Sequence, residues 1–216
     1  LPPEQIAVVP HGVEPRFFEE PPADTTNSPT KVPYFFYGGG VDPRKRVELI
    51  LDALASIQHD IPEHFVLCGQ THGRTKQIQQ YIHSLGLGSR VKMLPYVTDA
   101  ELVGLYRGAT GFVFPSLYEG FGLPILEAQA ARCPVITTRR SAMPEVAGSA
   151  ALYLEPADEF TERAALANHM RALSQDANLR ARLANEGQEN ARRFTWQHTA
   201  ALTLRTYQRA ISGEPQ

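Results

Sequence analysis

The chain has 216 residues, 43% of them hydrophobic and 20% charged, with a formal net charge of −2 at pH 7. This is the composition of a globular chain able to bury one sizeable core, and the near-neutral charge gives no bulk attraction to nucleic acid or to an anionic membrane. No apolar run approaches membrane-spanning length and no signal peptide is visible. The chain starts with Leu rather than Met and runs directly into structured sequence, so it reads as part of a longer protein. Its two cysteines, Cys68 and Cys133, sit far apart beside apolar residues without metal-ligand spacing, and are expected to be buried free thiols.

The first expected strand is Ile6-Ala7-Val8-Val9, ending in Pro10-His11-Gly12-Val13. Residues 19–33, rich in Pro, Thr, Asp and Ser, read as a loop or linker. Tyr34-Phe35-Phe36-Tyr37 is a strand broken by Gly38-Gly39-Gly40, and Val41 to Arg46 lead into a helix whose apolar face is Val47, Ile50, Leu51, Leu54 and Ile57. The alternation repeats: strand 65–68, helix 75–85, strand 91–94, then a helix to about 107 opened by a capping box of Thr98 and Glu101. Strand 111–114 and its helix follow, then strand 134–138, a helical turn at 141–147 and strand 151–154. Three helices close the chain at 160–174, 176–194 and 195–211. Alternating strands and helices predict an α/β fold with a doubly wound, Rossmann-like parallel sheet followed by C-terminal helices. Ligands on such sheets bind at the carboxyl ends of strands. That points to the loops 38–45, 69–73, 95–98 and 115–122.

The most informative stretch is Phe114-Pro115-Ser116-Leu117-Tyr118-Glu119-Gly120-Phe121-Gly122-Leu123-Pro124-Ile125-Leu126-Glu127. An apolar strand runs into a glycine loop, and Pro124 sits where a helix starts, a position at which its missing N–H costs nothing. Such a helix start offers unpaired N–H groups and a positive dipole end to phosphate. Glu119 and Glu127 can accept hydrogen bonds from hydroxyls. On one continuous helix, eight residues apart, they would lie about 80° apart, given about 3.6 residues per turn. With Glu119 in the loop and only Glu127 on the helix, both can face the crevice above the sheet. A ligand with phosphate and polyol parts fits this stretch. The glycine loop at 38–40, followed by Arg44 and Lys45, is a second anion-compatible element. It is neither the dinucleotide fingerprint nor a Walker loop. Cations beside a helix N-terminus are unfavourable unless an anion is bound there.

Taken together, these motifs resemble the donor-binding C-terminal domain of family 4 retaining glycosyltransferases of the GT-B fold. The resemblance rests on Glu-x7-Glu inside Tyr118-Glu119-Gly120-Phe121-Gly122-Leu123-Pro124-Ile125-Leu126-Glu127. It extends to Val9-Pro10-His11-Gly12-Val13-Glu14, Gly39-Gly40-Val41-Asp42-Pro43-Arg44-Lys45, Cys133-Pro134-Val135-Ile136-Thr137, Pro144-Glu145-Val146-Ala147-Gly148 and Phe194-Thr195-Trp196, in the family's order. It implies an interdomain segment and loop over 1–33, a nucleotide-sugar-binding domain over 34–194 and a closing helix over 195–216 that packs toward an N-terminal acceptor-binding domain.

By the same resemblance, Glu119 is the catalytic residue: it holds the transferred sugar's hydroxyls and supports the charge developing at the anomeric carbon. Lys45 contacts the diphosphate, and Glu127 binds the ribose hydroxyls. Gly122, Leu123 and Ile125 offer backbone amides to phosphate or sugar oxygens, and Val97 lies near the base. Gly40 stands where many members carry an arginine, and Arg44 is its nearest substitute. His11 replaces a common Asn and reads as a turn residue. His72, in the polar loop after the second strand, reads as a solvated histidine.

The implied reaction moves a hexose, with mannose the first choice, from a nucleotide diphosphate sugar to a glycan or lipid-linked acceptor with retention of configuration. GDP-mannose or a UDP-sugar would be the donor, with no metal and no further cofactor. The implied setting is bacterial polysaccharide biosynthesis in the cytoplasm, with peripheral membrane association residing in the N-terminal half. An isolated half is expected to bind donor and transfer little. The rival readings are an epimerase-like or phosphorylase-like GT-B protein and a non-catalytic α/β binding domain.

Overall fold

The computed structural model describes residues 6–19, 30–69 and 73–212. His72 and its neighbours Gln70 and Thr71 lie outside the described residues, as does most of the expected linker. Six parallel strands form one sheet: β1 (Tyr34–Gly38), β2 (His64–Cys68), β3 (Val91–Leu94), β4 (Gly111–Phe114), β5 (Val135–Thr138) and β6 (Leu152–Leu154). Their spatial order is β3-β2-β1-β4-β5-β6. The chain winds outward from β1 in one direction and from β4 in the other, so the topological switch point lies between these two strands.

Among the described residues there are eight α-helices: α1 (Val47–Ile57), α2 (Thr75–Ser84), α3 (Asp99–Gly108), α4 (Leu123–Ala130), α5 (Met143–Ala147), α6 (Glu159–Gln175), α7 (Ala177–Ala191) and α8 (Trp196–Ser212). With helices on both faces, every residue of β4 and β5 is buried; β4 accordingly reads as a continuous apolar run, and the two threonines of β5 donate their hydroxyls to the Phe114 and Ser116 carbonyls. The expected apolar face of α1 is buried in full. The capping box forms as expected: the Glu101 N–H donates to Thr98 Oγ1, and the Thr98 N–H donates to Glu101 Oε2 at 2.7 Å. Beneath the crevice, Tyr106 packs edge-on against Phe36 and Phe112, both at 5.1 Å between ring centroids. Burial of each such ring is worth about 1.5–3 kcal/mol.

The strand expected at Ile6-Ala7-Val8-Val9 does not form. The sheet's edges are β3 and β6, and this segment joins neither, leaving Val8 78% exposed. Its β-branched composition favours strands only where a face can be buried. The chain instead crosses the start of α8. The Val13 N–H donates to the Phe194 carbonyl at 3.1 Å, and Thr199 Oγ1 donates to the Pro10 carbonyl at 2.7 Å. Gly12 is required at the crossing, since a Cβ there would come within 2.3 Å of the Trp196 nitrogen.

A buried amide pair ties α4 to α5 and α7. Gln129 Nε2 donates to the Ala147 and Ala150 carbonyls, while Asn190 Nδ2 donates to Gln129 Oε1 and to the Val146 carbonyl, both at 2.8 Å. These partners satisfy polar groups that would be costly to bury alone. Cys68 and Cys133 are free and buried, and burial pushes both thiols up, toward the unreactive neutral form. Among the described residues, no helix is long and apolar enough to cross a membrane.

Candidate active site

The switch point brings the loop after β1 alongside the loop after β4. Gly39 donates its N–H to the Cys68 carbonyl at 2.9 Å, and Tyr37 Oη donates to the Gly40 carbonyl at 2.8 Å, fixing the glycines. Gly69 closes against them: its φ is +135°, and a Cβ would meet the Gly39 oxygen at 2.0 Å, so only glycine fits. Asp42 then caps a short 3-10 turn, Pro43–Lys45, by accepting from the Arg44 N–H at 2.9 Å. The turn carries Arg44 and Lys45 ahead of α1 rather than within its first turn. This removes the clash between cations and helix dipole that the sequence alone suggests.

The two loops are bonded to one another. The Leu117 N–H donates to the Arg44 carbonyl at 2.9 Å, and Arg44 Nη1 donates to the Tyr118 carbonyl at 2.5 Å. Lys45 Nζ lies 2.5 Å from Glu119 Oε1 and 4.9 Å from the centroid of the Phe114 ring. Arg44 Nη1 is 3.5 Å from the other carboxylate oxygen, Oε2. The side chains of Lys45 and Glu119 are 15% and 13% exposed, so the pair is largely shielded from solvent screening. Glu119 is held from a third side, its carbonyl accepting from Ser141 Oγ at 2.7 Å.

Glu127 sits one turn into α4 and is partly buried. Tyr106, fully buried on α3, donates its hydroxyl to Glu127 Oε2 at 3.0 Å. Burial raises the Glu127 pKa from its ordinary value, the Tyr106 bond working against that rise. The bond occupies one oxygen and leaves Oε1 able to accept from a further donor.

Gly122 adopts φ +106° and ends the loop at the N-terminus of α4, with Pro124 in the first turn. Among the described residues, the Gly122 and Leu123 amides have no hydrogen-bond partner, whereas the Ile125 amide donates to the Gly122 carbonyl at 2.9 Å. The expectation that Ile125 offers its amide to a ligand is therefore corrected: the tight first turn uses it, and the Ile125 side chain is wholly buried. Val97 lies in the loop after β3, packed partly against the core beside Tyr96, which is 82% exposed. The structure thus joins Gly40, Arg44, Lys45 and Glu119 through one bonded pair of loops. It places Gly122 and Leu123 at the helix start and Glu127 on α4, and sets Val97 on a separate loop.

Sequence reasoning missed Tyr106 and Ser141. Tyr106 falls within the expected helix to about 107 with no motif to mark it, and Ser141 reads as the start of a helical turn. Only long-range geometry shows their hydroxyls directed at the two glutamates. His11 packs its ring 5.0 Å from that of Phe121 and 5.9 Å from that of Trp196, centroid to centroid.

The sequence profile of the glycosyl transferases group 1 matches residues 20–190. The chain belongs to this family. Within it, the chain is 32% identical over 176 residues to the O-antigen chain mannosyltransferase B of Escherichia coli, covering 81% of this chain and 45% of that protein. It is 33% identical over 216 residues to the MMP alpha-(1->4)-mannosyltransferase of Mycolicibacterium hassiacum, covering 97% of this chain and 50% of that one. Among solved structures, a sucrose-phosphate synthase from Thermosynechococcus elongatus superposes with a TM-score of 0.82 at 26% identity, over 96% of this chain and 53% of that chain. The fold is the Rossmann-like half of GT-B glycosyltransferases. The chain spans about half the length of the curated relatives it matches.

Proposed function

We propose that this chain is the donor-binding half of a retaining glycosyltransferase that moves a hexose, mannose in the first instance, from a nucleotide diphosphate sugar to a glycan or lipid-linked acceptor. The observation that carries this reading is the Lys45–Glu119 pair at the switch point, with the Gly122 and Leu123 amides directed from a helix start in the same loop. Two relatives that bear mannosyltransferase names support mannose, and with it GDP-mannose, ahead of a UDP-sugar.

In this reading the donor diphosphate draws Lys45 Nζ away from Glu119, joined by Arg44 and the two amides. As the diphosphate leaves, negative charge grows on its oxygens, and these donors meet it without an obligatory metal or a further cofactor. Freed from Lys45, the Glu119 carboxylate holds hydroxyls of the sugar and stabilises positive charge at the anomeric carbon. It acts by electrostatics rather than as a nucleophile. Glu127, steadied by Tyr106, accepts from the ribose hydroxyls, and the Val97 loop borders the base.

The acceptor site belongs to an N-terminal domain that this chain meets through α8. Trp196, Leu204, Tyr207 and Ile211 are exposed on that helix at helical spacing, which supports such a partner face. The isolated half binds donor but transfers little, since the closed cleft is missing. We place the reaction in the cytoplasm, with any peripheral hold on the membrane in the other half. The test is transfer from GDP-mannose by the two-domain enzyme with the product anomer read by NMR. Retained configuration is expected, and inverted configuration would overturn the mechanism.

A further inference from the structure

Behind the ion pair lies a buried carboxylate that no motif predicts. Glu162, in the first turn of α6, is 1% exposed. Its Oε2 accepts from Arg46 Nη1, and its Oε1 accepts from Arg140 Nη2 at 2.5 Å and from the Ala157 N–H at 2.9 Å. Arg46 directly follows Lys45. Arg140 directly precedes Ser141, whose hydroxyl holds the Glu119 carbonyl. Glu162, Arg46 and Arg140 therefore join the two halves of the Lys45–Glu119 pair from behind. The circuit runs Lys45, Arg46, Glu162, Arg140, Ser141, Glu119 and back to Lys45.

Two features argue that this circuit does more than attach α6 to the sheet. Arg46 and Ser141, the two residues that carry the connection into the site loops, both hold positive φ, 56° and 51°. Non-glycine residues take that conformation at a cost, and persist in it where surrounding contacts determine it. In addition, both oxygens of this buried carboxylate accept from guanidinium groups of two different loops, whose side chains are 11% and 22% exposed; removing its charge leaves two largely buried cations uncompensated.

We propose that Glu162 is a positioning residue that sets the separation of Lys45 and Glu119, and so readies the site for the donor diphosphate. The inference rests on the donor reading above. Lys45 and Glu119 touch the ligand, and Glu162 acts through Arg46 and Arg140. Neutralising Glu162 removes the charge that holds both guanidinium groups and leaves one acceptor oxygen where there were two, so that both loops relax and the cation that the diphosphate must meet is misplaced.

The test is calorimetric titration of GDP and UDP into the native chain, Glu162→Gln, Ser141→Ala, Lys45→Ala and the corresponding double variants with Lys45→Ala. Glu162→Gln is expected to weaken the bound diphosphate about tenfold in the native background and by less than about twofold once Lys45 is gone, the non-additivity of residues acting in one network. Ser141→Ala leaves the buried carboxylate intact, cuts only the last link and is expected to show the same background dependence, so the inference stays testable if Glu162→Gln does not fold. Equal losses with and without Lys45 would overturn the positioning role, because a merely structural residue affects both backgrounds alike. So would unchanged affinity in both Glu162→Gln and Ser141→Ala. A folded native chain that binds neither diphosphate would overturn the donor reading, and the role built on it.

Discussion

Lys45 and Glu119 are separated by 74 residues, yet Nζ and Oε1 lie 2.5 Å apart in the crevice between β1 and β4. This pair ties the loop after β1 to the loop after β4 at the switch point. If Lys45 serves the diphosphate, Lys45→Ala removes a charge-assisted hydrogen bond and weakens nucleoside diphosphate binding by about 10- to 100-fold. Stability falls less than it would for a severed pair with no other partner, because Glu119 keeps Arg44 at 3.5 Å. Titration calorimetry and thermal melting of the variant measure the two effects separately.

Glu127 should place function and stability in opposition. Its pKa is raised above the ordinary 4.5, first by burial. Below 4.5 the carboxyl is protonated in both native and unfolded chains. Between 4.5 and the raised native value the native state holds more proton, so stability falls as pH rises through that window. Above it the full cost of the buried charge is present. Glu127→Gln should therefore raise the melting temperature at pH 7 and flatten this pH dependence. The same variant should weaken nucleoside diphosphate binding about tenfold, since a charged acceptor for hydroxyls is lost. Native affinity should rise with pH through the same window, as the ionised form becomes available.

The amide lock between α4 and α7 is buried. Asn190→Ala leaves the Val146 carbonyl and Gln129 Oε1 without their buried donor. The expected loss is about 1–3 kcal/mol, and each kcal/mol lowers the melting temperature by about 2–4 °C in a chain of this size. Nucleotide affinity should be unchanged, which separates this variant from the site variants.

At the crossing of the leading segment and α8, Gly12→Ala drives a methyl group into the Trp196 backbone. The segment must lift away, and the Val13 to Phe194 hydrogen bond goes with it. Hydrogen exchange should show lost protection at Val13 and through the first turns of α8, with the protection of β1 and β4 unchanged.

Much of this was legible because it is local. The period of apolar residues predicts the alternating elements, Thr98 and Glu101 predict their own capping box, and Glu119, Gly122, Pro124 and Glu127 announce a loop and helix start. The remainder depends on partners far along the chain. Arg46 reads only as the last residue of the stretch that leads into a helix, while its guanidinium reaches a carboxylate 116 residues away. Ile125 looks like a free amide until the tight first turn of α4 is seen to use it. Ile6-Ala7-Val8-Val9 has strand composition, but composition does not say whether the sheet has an edge to receive it.

The most direct measurement of the central claim is calorimetric titration of GDP and UDP into the native chain, Lys45→Ala and Glu127→Ala. The account predicts single-site binding of at least one of the two nucleotides, weakened by each substitution. A folded native chain that gives no heat with either nucleotide, or binds with an affinity neither substitution changes, would contradict it.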